Sequence, residues 1–335
     1  MRKRFARLSE AARDALTPTA FPRWLDPMRA TLARDPFSDP DWIFERKLDG
    51  VRLIAYRRGG DTRLLTRNRK RRDDAYPEIA EALGGMAGPD LVVDGEVVAF
   101  EGRVTSFARL QGRMKIEDPE AARSSGIAIR YYAFDLLWLD GYDTCRLALR
   151  DRKSLLRDAL EWKDPIRFTT HRNRDGERLL EAACAKGWEG LIAKRAESPY
   201  VHARSTDWLK LKCVNRQEFV IGGWTDPRGE RAGFGALLVG VHDDERLRYA
   251  GKVGTGFDDD TLDGLGARLA ALERPTPPFA RETGIPVKGV HWARPELVAE
   301  VAFTEWTSGH RLRHPRFVGL RTDKDPADVV AEMPA

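Results

Sequence analysis

The stretch FERKLDGVR, Phe44 to Arg52, sets Lys47 two residues before Asp49-Gly50, between two largely apolar runs of strand length. Taken alone it reads as a hairpin with an Asp-Gly turn and a solvated lysine. Other segments change the weight. LVVDGEVVAF carries Asp94-Gly95-Glu96 inside an apolar strand, and YYAFDLLWL carries Phe134-Asp135 in a similar setting; a carboxylate there is costly without a partner. WEGLIAKR places Glu189 five residues before Lys194. That odd spacing puts the two on opposite faces of a regular strand, so a bulge or loop at Glu189-Gly190 is needed to bring both to one site. DWLKLK aligns Lys210 and Lys212 on one strand face. Each feature alone is compatible with a solvated surface. Lysines and carboxylates gathered from separate strands fit one anionic ligand with a cation, and a nucleoside triphosphate with magnesium supplies both.

If Lys47 is to do more than pair with such a ligand and act as a nucleophile, it must first lose its proton. At an ordinary pKa of about 10.4, only about one in a few thousand is neutral at pH 7. Lys194, Lys210, Lys212 and a bound metal are the expected means of lowering the Lys47 value. The same cations would neutralise charge that develops on the phosphates.

The elements that position these residues form two textures. From about Asp41 to Asn215, strand-like runs (DTRLLTR, LVVDGEVVAF, IRYYAFDLLWL, GLIAKRA, DWLKLK) alternate with helical ones (YPEIAEAL, RDRKSLLRDALEW, GERLLEAACAKG). Beyond Asn215, short strands punctuated by Gly and Pro surround a single helix, DDDTLDGLGARLAAL. That pattern suits a small β-barrel, with an OB-fold the natural form for one that faces nucleic acid. The expected class is α+β, with a basic amino-terminal segment at 1–35, a catalytic domain at 36–216 and a barrel at 217–335.

Composition sets limits. The 335 residues are 33% charged and carry a net charge of +5, a mild bias toward polyanions. No apolar run approaches the roughly 20 residues of a membrane helix, and the basic start MRKRFARLSEAARDAL lacks a signal core. Cytoplasmic, nucleoid-associated work as a monomer is the expectation. Three scattered cysteines, Cys145, Cys184 and Cys213, form neither a CxxC pair nor a zinc cluster, in keeping with a reducing compartment. RNRKRR, Arg67 to Arg72, concentrates five cations in six residues and reads equally as a solvated loop or a phosphate-binding one. The amino-terminal segment, with five cations against two acids in residues 1–20, reads equally as a DNA contact or a docking helix.

The ordered set resembles the covalent nucleotidyltransferases, most closely the ATP-dependent DNA ligases of the bacterial end-joining type. Lys47-Leu-Asp49-Gly50-Val-Arg52 matches the nucleophile motif. Arg67-Asn68, Asp94-Gly95-Glu96, Phe134-Asp135, Glu189-Gly190 with Lys194, and Trp208-Leu-Lys210-Leu-Lys212 follow in the family's order, and RLRHPRFVGLRTDK (Arg311 to Lys324) resembles its last motif. A lone KxDG is weak; six motifs in order over nearly the whole chain are specific. The resemblance implies a nucleotidyltransferase domain with ATP-grasp-like antiparallel sheets and helices, then an OB-fold. It also implies ATP with Mg2+ or Mn2+, AMP carried covalently on Lys47, and nicked or broken duplex DNA as substrate in repair, with DNA-end-binding proteins as conceivable recruiters.

By the same resemblance Glu45 and Phe134 hold adenine, Arg52 and Glu96 fix the ribose and α-phosphate, and Lys194 adds to the nucleotide site. Lys210 and Lys212 act on the phosphates, and Glu189 with Glu96 is the metal carboxylate pair. Arg67 and Arg204 face the nicked-strand phosphate, and Arg69, Lys70, Arg71 and Arg72 grip the duplex. Arg316, Arg321, Asp323 and Lys324 orient the pyrophosphate. RNA ligases and capping guanylyltransferases share the lysine motif, and a non-catalytic nucleic-acid-binding homologue is the alternative outside enzymes. The four-cysteine zinc module of NAD-dependent ligases is absent, and the intact Lys47, Glu189, Lys210 and Lys212 argue against a decayed site.

Overall fold

Period-two alternation along residues 42–46, 190–195 and 204–212 gives strands with one apolar and one polar face. In the computed structural model, which describes residues 3–227, 233–280, 284–286, 288–307 and 309–332, these become the core of a five-stranded sheet. Its order is His171–Arg172, Trp42–Arg46, Gly190–Arg195, Arg204–Lys212 and Arg29–Leu32. Trp42, Phe44, Leu191, Ala193 and Leu211 pack from one face with Leu180 and Ala183 of the helix Gly176–Ala185. A larger, mainly antiparallel sheet runs Thr17–Pro18, Tyr142–Asp143, Ile129–Leu139, Leu91–Glu101, Val51–Arg58 and Asp61–Thr66. One face of it, with Leu53, Val93, Val97 and Tyr131, is sealed by apolar residues of the helices Pro77–Gly85, Phe107–Met114 and Leu149–Ala159.

The expected hairpin at Asp49-Gly50 is not there. Trp42–Arg46 and Val51–Arg58 belong to different sheets, and Lys47–Gly50 is the crossing between them. Lys47 N donates to Gly190 O (2.9 Å) in the smaller sheet, and Asp49 N donates to Thr105 Oγ1 (3.2 Å) beside the larger one. Gly50 is required by close approach, since a Cβ there would lie 2.1 Å from Val97 O. An Asp-Gly pair thus marks a backbone contact here rather than a two-residue turn.

The amino-terminal segment docks. Phe5, Leu8 and Leu16 are buried in the core of the larger sheet, and Arg4 and Arg7 pair with Asp140 (3.3 Å) and Asp158 (2.8 Å). Arg2 lies outside the described residues. The chain divides into two units, residues 1–213 and 214–333. The second is built on antiparallel strands in the order Arg246–Val253, Leu237–Asp243, Asn215–Thr225, Val290–Phe303 and Glu273–Arg274, with Arg316–Leu320 also paired to Val290–Phe303. Its helix Asp259–Ala271 is capped by Asp258, whose carboxylate accepts from Thr261 N at 2.9 Å, and buries Leu262, Leu265 and Leu269. The α+β class and, among the described residues, the one α-helix among the later strands match the sequence pattern.

The cysteine reading needs correction: Cys184 and Cys213 are joined by a disulfide, and Cys145 is free and buried. Their separation of 29 residues carries no signal. The helix–sheet packing of residues 176–185 brings them together.

Candidate nucleotide site

The polar face of the smaller sheet is read off its register. Glu45, Ile192 and Lys210 form one cross-strand row; Ile43, Lys194 and Trp208 form the next; Gly190 stands opposite Lys212. Lys47 continues the Ile43–Glu45 side beyond the strand end. On the larger sheet Arg52, Glu96 and Tyr132 form a matching row. Residues of both sheets meet around Trp208: Phe134 lies at 6.0 Å between ring centroids, and Lys194 Nζ stands 4.3 Å and 4.0 Å from the Phe134 and Trp208 centroids.

Lys47 Nζ lies 2.5 Å from Glu189 Oε1, with 18% and 10% of the two side chains exposed. The expected loop at Glu189-Gly190 is present, since the strand begins only at Gly190, at φ 146° and with Leu211 O where a Cβ would sit. The expected lowering of the Lys47 pKa counts on a bound metal as well as on Lys194, Lys210 and Lys212; the protein's own groups act in the other direction. Burial would lower it, but Glu189, then Glu96 and Asp49, outweigh burial and hold the ammonium well above the ordinary lysine value. Neighbouring carboxylates, rather than Lys194, Lys210 and Lys212, dominate its field.

Glu45 is 3% exposed and lies between two ammonium groups, Lys194 at 2.7 Å and Lys153. Burial raises its pKa, yet Lys153 and Lys194 bring it below the usual value. Lys194 moves down, through burial and then the repulsion of Lys153, against the pull of Glu45. The carboxylates that the sequence left without partners find them. Asp94 accepts from Arg52 Nε (2.9 Å) and from the Tyr200 hydroxyl (2.7 Å). Asp135 receives a bidentate pair from Arg152 (2.7 and 2.9 Å), and both are fully buried. Asp94 and Asp135 are therefore structural.

Sequence reasoning missed Arg152, Lys153 and Tyr200. A signal existed: in LRDRKSLL, Arg152 and Lys153 fall three and four residues after Leu149, on the buried helix face. Among the described residues, several buried polar atoms without partners lie on the elements of this site: Trp208 Nε1, Glu189 Oε2, Thr169 Oγ1 and His171 Nδ1. Unsatisfied groups of this kind are what a polar ligand completes. No cluster of three or more His, Cys, Asp or Glu among the described residues could hold a metal alone. The unpartnered Glu189 Oε2 suits an ion that takes most of its ligands from phosphate and water.

The remaining predicted residues have other neighbours. Arg69, at φ 59°, places its guanidinium 5.2 Å from the Trp24 ring centroid. Arg71 pairs with Asp73, Lys70 is exposed, and Arg67 and Arg72 are half-buried. Arg204 is exposed and donates to Ala30 O at 2.8 Å. In the second unit Arg316 is exposed. Arg321 does not stand in a loop with a free guanidinium: it binds Asp323 through two 2.9 Å bonds, with Glu300 at 3.3 Å and Glu218 at 3.6 Å. Lys324 lies 3.2 Å from Glu218 and keeps 34% of its side chain exposed.

A lysine against a carboxylate at the end of the smaller sheet, and a second lysine between two aromatic rings where residues of the two sheets meet, are features in keeping with a nucleotidyltransferase type of site. The family comparison agrees: residues 27–212 match the model described as ATP dependent DNA ligase domain, and residues 230–324 match the ATP dependent DNA ligase C terminal region. The chain belongs to the ATP-dependent DNA ligase family, with the nucleotidyltransferase-plus-OB architecture expected from sequence. It is 40% identical over 350 residues to the multifunctional non-homologous end joining protein LigD of Pseudomonas aeruginosa, covering 98% of this chain and 40% of that protein. The LigD of Mycolicibacterium smegmatis is 38% identical, covering 87% of this chain and 37% of that protein. The chain thus spans about two fifths of these relatives' length. A solved structure of mycobacterial DNA ligase D complexed with ATP and MES is 34% identical, with a TM-score of 0.64 over 92% of this chain and 98% of that one.

Proposed function

We propose that this chain is an ATP-dependent DNA ligase that seals nicks or breaks in duplex DNA during end-joining repair. The observation that carries the reading is the Lys47–Glu189 contact, at the end of the sheet that also carries Lys194 and Trp208. In this reading residues 36–216 perform adenylation and 217–335 form the OB-fold domain. Lys47 Nζ attacks the α-phosphorus of ATP; a P–N bond forms, the bond to pyrophosphate breaks, and Nζ gives up its protons to reach the phosphoramidate. A 5′-phosphate oxygen at the nick then displaces lysine from AMP, and the amine is reprotonated. Last, the 3′-hydroxyl attacks that activated phosphate and expels AMP.

Lys47 must leave Glu189 before it attacks, because the contact stabilises the unreactive ammonium. Glu189, through its unpartnered oxygen, and Glu96 are the carboxylates that would hold Mg2+ or Mn2+, whose charge offsets that of the phosphates. Lys210 and Lys212 share the polar face and bind the phosphates. Phe134 stacks on adenine, Glu45 accepts from its amine, and Arg52, fixed by Asp94, meets the ribose. Arg67, Arg69, Lys70 and Arg204 contact DNA phosphates. Arg316 and Lys324 serve the pyrophosphate in the first step, and Arg321 orders their segment.

The test is incubation with α-labelled ATP or GTP and magnesium, followed by a nicked duplex. Protein-bound label from ATP that is alkali-stable and acid-labile, as a phosphoramidate is, and that chases onto DNA 5′ ends is expected. Label from GTP alone would point to a guanylyltransferase, and absence of label from both would remove the enzymatic reading.

A further inference from the structure

Glu45 has one more lysine than neutrality requires. Lys194 alone would balance its charge, yet Lys153, 2% exposed, also donates to Glu45 Oε1. Lys153 comes from the helix Leu149–Ala159, outside the sheet that carries Glu45 and Lys194. It also donates to Thr169 O at 2.9 Å, and its Nζ stands 4.8 Å from the Phe168 ring centroid. Burying a second ammonium beside a carboxylate that is already paired carries a desolvation cost without a compensating charge. Pairing alone does not account for it.

Geometry does. With Lys194 at Oε2 and Lys153 at Oε1, the carboxylate is held from two sides and cannot turn both oxygens onto one lysine. It is also kept ionised, so it accepts hydrogen bonds and donates none. Its surroundings are unfinished: Thr169 Oγ1, from the residue whose carbonyl holds Lys153, and His171 Nδ1, from the residue opposite Glu45 in register, are buried without partners. Each carboxylate oxygen retains accepting capacity toward a ligand.

We propose that Lys153 is a positioning residue for nucleobase choice, holding Glu45 as an ionised, acceptor-only group aimed at a base with an exocyclic amine. The proposal rests on the ATP reading given above. Adenine donates from its 6-amino group. A 6-keto base presents an oxygen to the same carboxylate and is repelled. A site built to pair one polar group discriminates strongly against a ligand that lacks it.

The test compares label transfer to the protein from ATP and from purine riboside triphosphate, which lacks the amine. For Lys153→Met, KM for ATP should rise roughly tenfold or more, as expected for a lost charge-assisted hydrogen bond, with kcat little changed. The analogue should be affected by less than about twofold. Glu45→Gln, which keeps the side-chain shape, should show the same selective loss, and adding Lys153→Met to it should cost nothing further in selectivity. If Lys153→Met proves unfolded on thermal melting, Glu45→Gln decides. A loss equal for both nucleotides in a folded variant, or additive losses in the double variant, would overturn the proposal. A wild-type protein that takes no label from ATP would overturn the underlying reading and this proposal with it.

Discussion

The proposed mechanism poses a conflict at the scale of single residues: Glu189, the carboxylate that would bind the metal, also holds Lys47, the proposed nucleophile, as an ammonium. Lys47→Ala and Lys47→Arg should both abolish labelling from ATP, the second because a guanidinium stays protonated. Lys47→Ala should still close a nick whose 5′ end is already adenylylated, checked by gel assay; failure there would assign Lys47 a second task in orienting DNA. The buried pair Asp135–Arg152 makes a different prediction. Arg152→Met leaves Asp135 charged and enclosed, and removing one partner of a buried pair costs about 3–5 kcal/mol. Urea unfolding should show a loss of that order, with the disulfide kept intact in both proteins.

At the scale of elements, the loop that carries RNRKRR does not present a uniform row of cations. Arg71 is engaged by Asp73 and Arg69 rests on Trp24, whereas Lys70 is exposed. Lys70→Ala should therefore flatten the salt dependence of nicked-duplex binding by about 0.9 in the log-log slope, and Arg71→Ala should change it less. Equal slopes for Lys70→Ala and wild type would leave this loop merely solvated. In the second unit His291 joins three strand ends: it meets Glu273 on one ring nitrogen (2.8 Å) and Asp226 on the other (2.9 Å), and stacks on Trp224. Glu273, then Asp226, raises its pKa. A raised folded value gives stability that is full below the unfolded histidine pKa and lost as pH rises through the folded one. Melting of this unit should fall between pH 6 and 8.5, a span chosen around an ordinary histidine pKa of about 6.5, and His291→Gln should flatten the decline.

At the scale of the whole molecule the proposed function divides labour between two units, and on that reading residues of the last motif should fail in different ways. Arg321 is enclosed by Asp323, Glu300 and Glu218; those carboxylates, with Asp323 bonded directly, outweigh burial and raise its pKa well above normal. Arg321→Ala would leave clustered acids uncompensated, so it should lower the melting temperature of the second unit as well as self-adenylation. Lys324, one-third exposed, can be removed at little structural expense. Lys324→Ala should lower label transfer from ATP severely and spare both melting and closure of a pre-adenylylated nick. Equal loss in the two activity assays would deny it a step-specific role.

A shared set of lysines and carboxylates was legible before the fold because it is written in local spacing, while the chemistry assigned to it came with the family resemblance. Lys47 with Asp49-Gly50, Lys210 with Lys212, and the need for an irregularity at Glu189-Gly190 follow from strand periodicity and residue type alone. So did the main strands and helices, whose apolar repeats span several residues each. What lay beyond reach depended on partners distant in sequence. Nothing local says that Asp135 belongs to Arg152, that Asp94 belongs to Arg52 and Tyr200, or that Arg321 is held by Glu218 and Glu300. The same holds for the Cys184–Cys213 bond and for the crossing of Lys47–Gly50 between two sheets, where a hairpin had equal local support. The field around Lys47 depends on partners of the same distant kind. A pKa answers to every charge within a few ångströms and to burial, and only the packed chain decides which carboxylate comes closest.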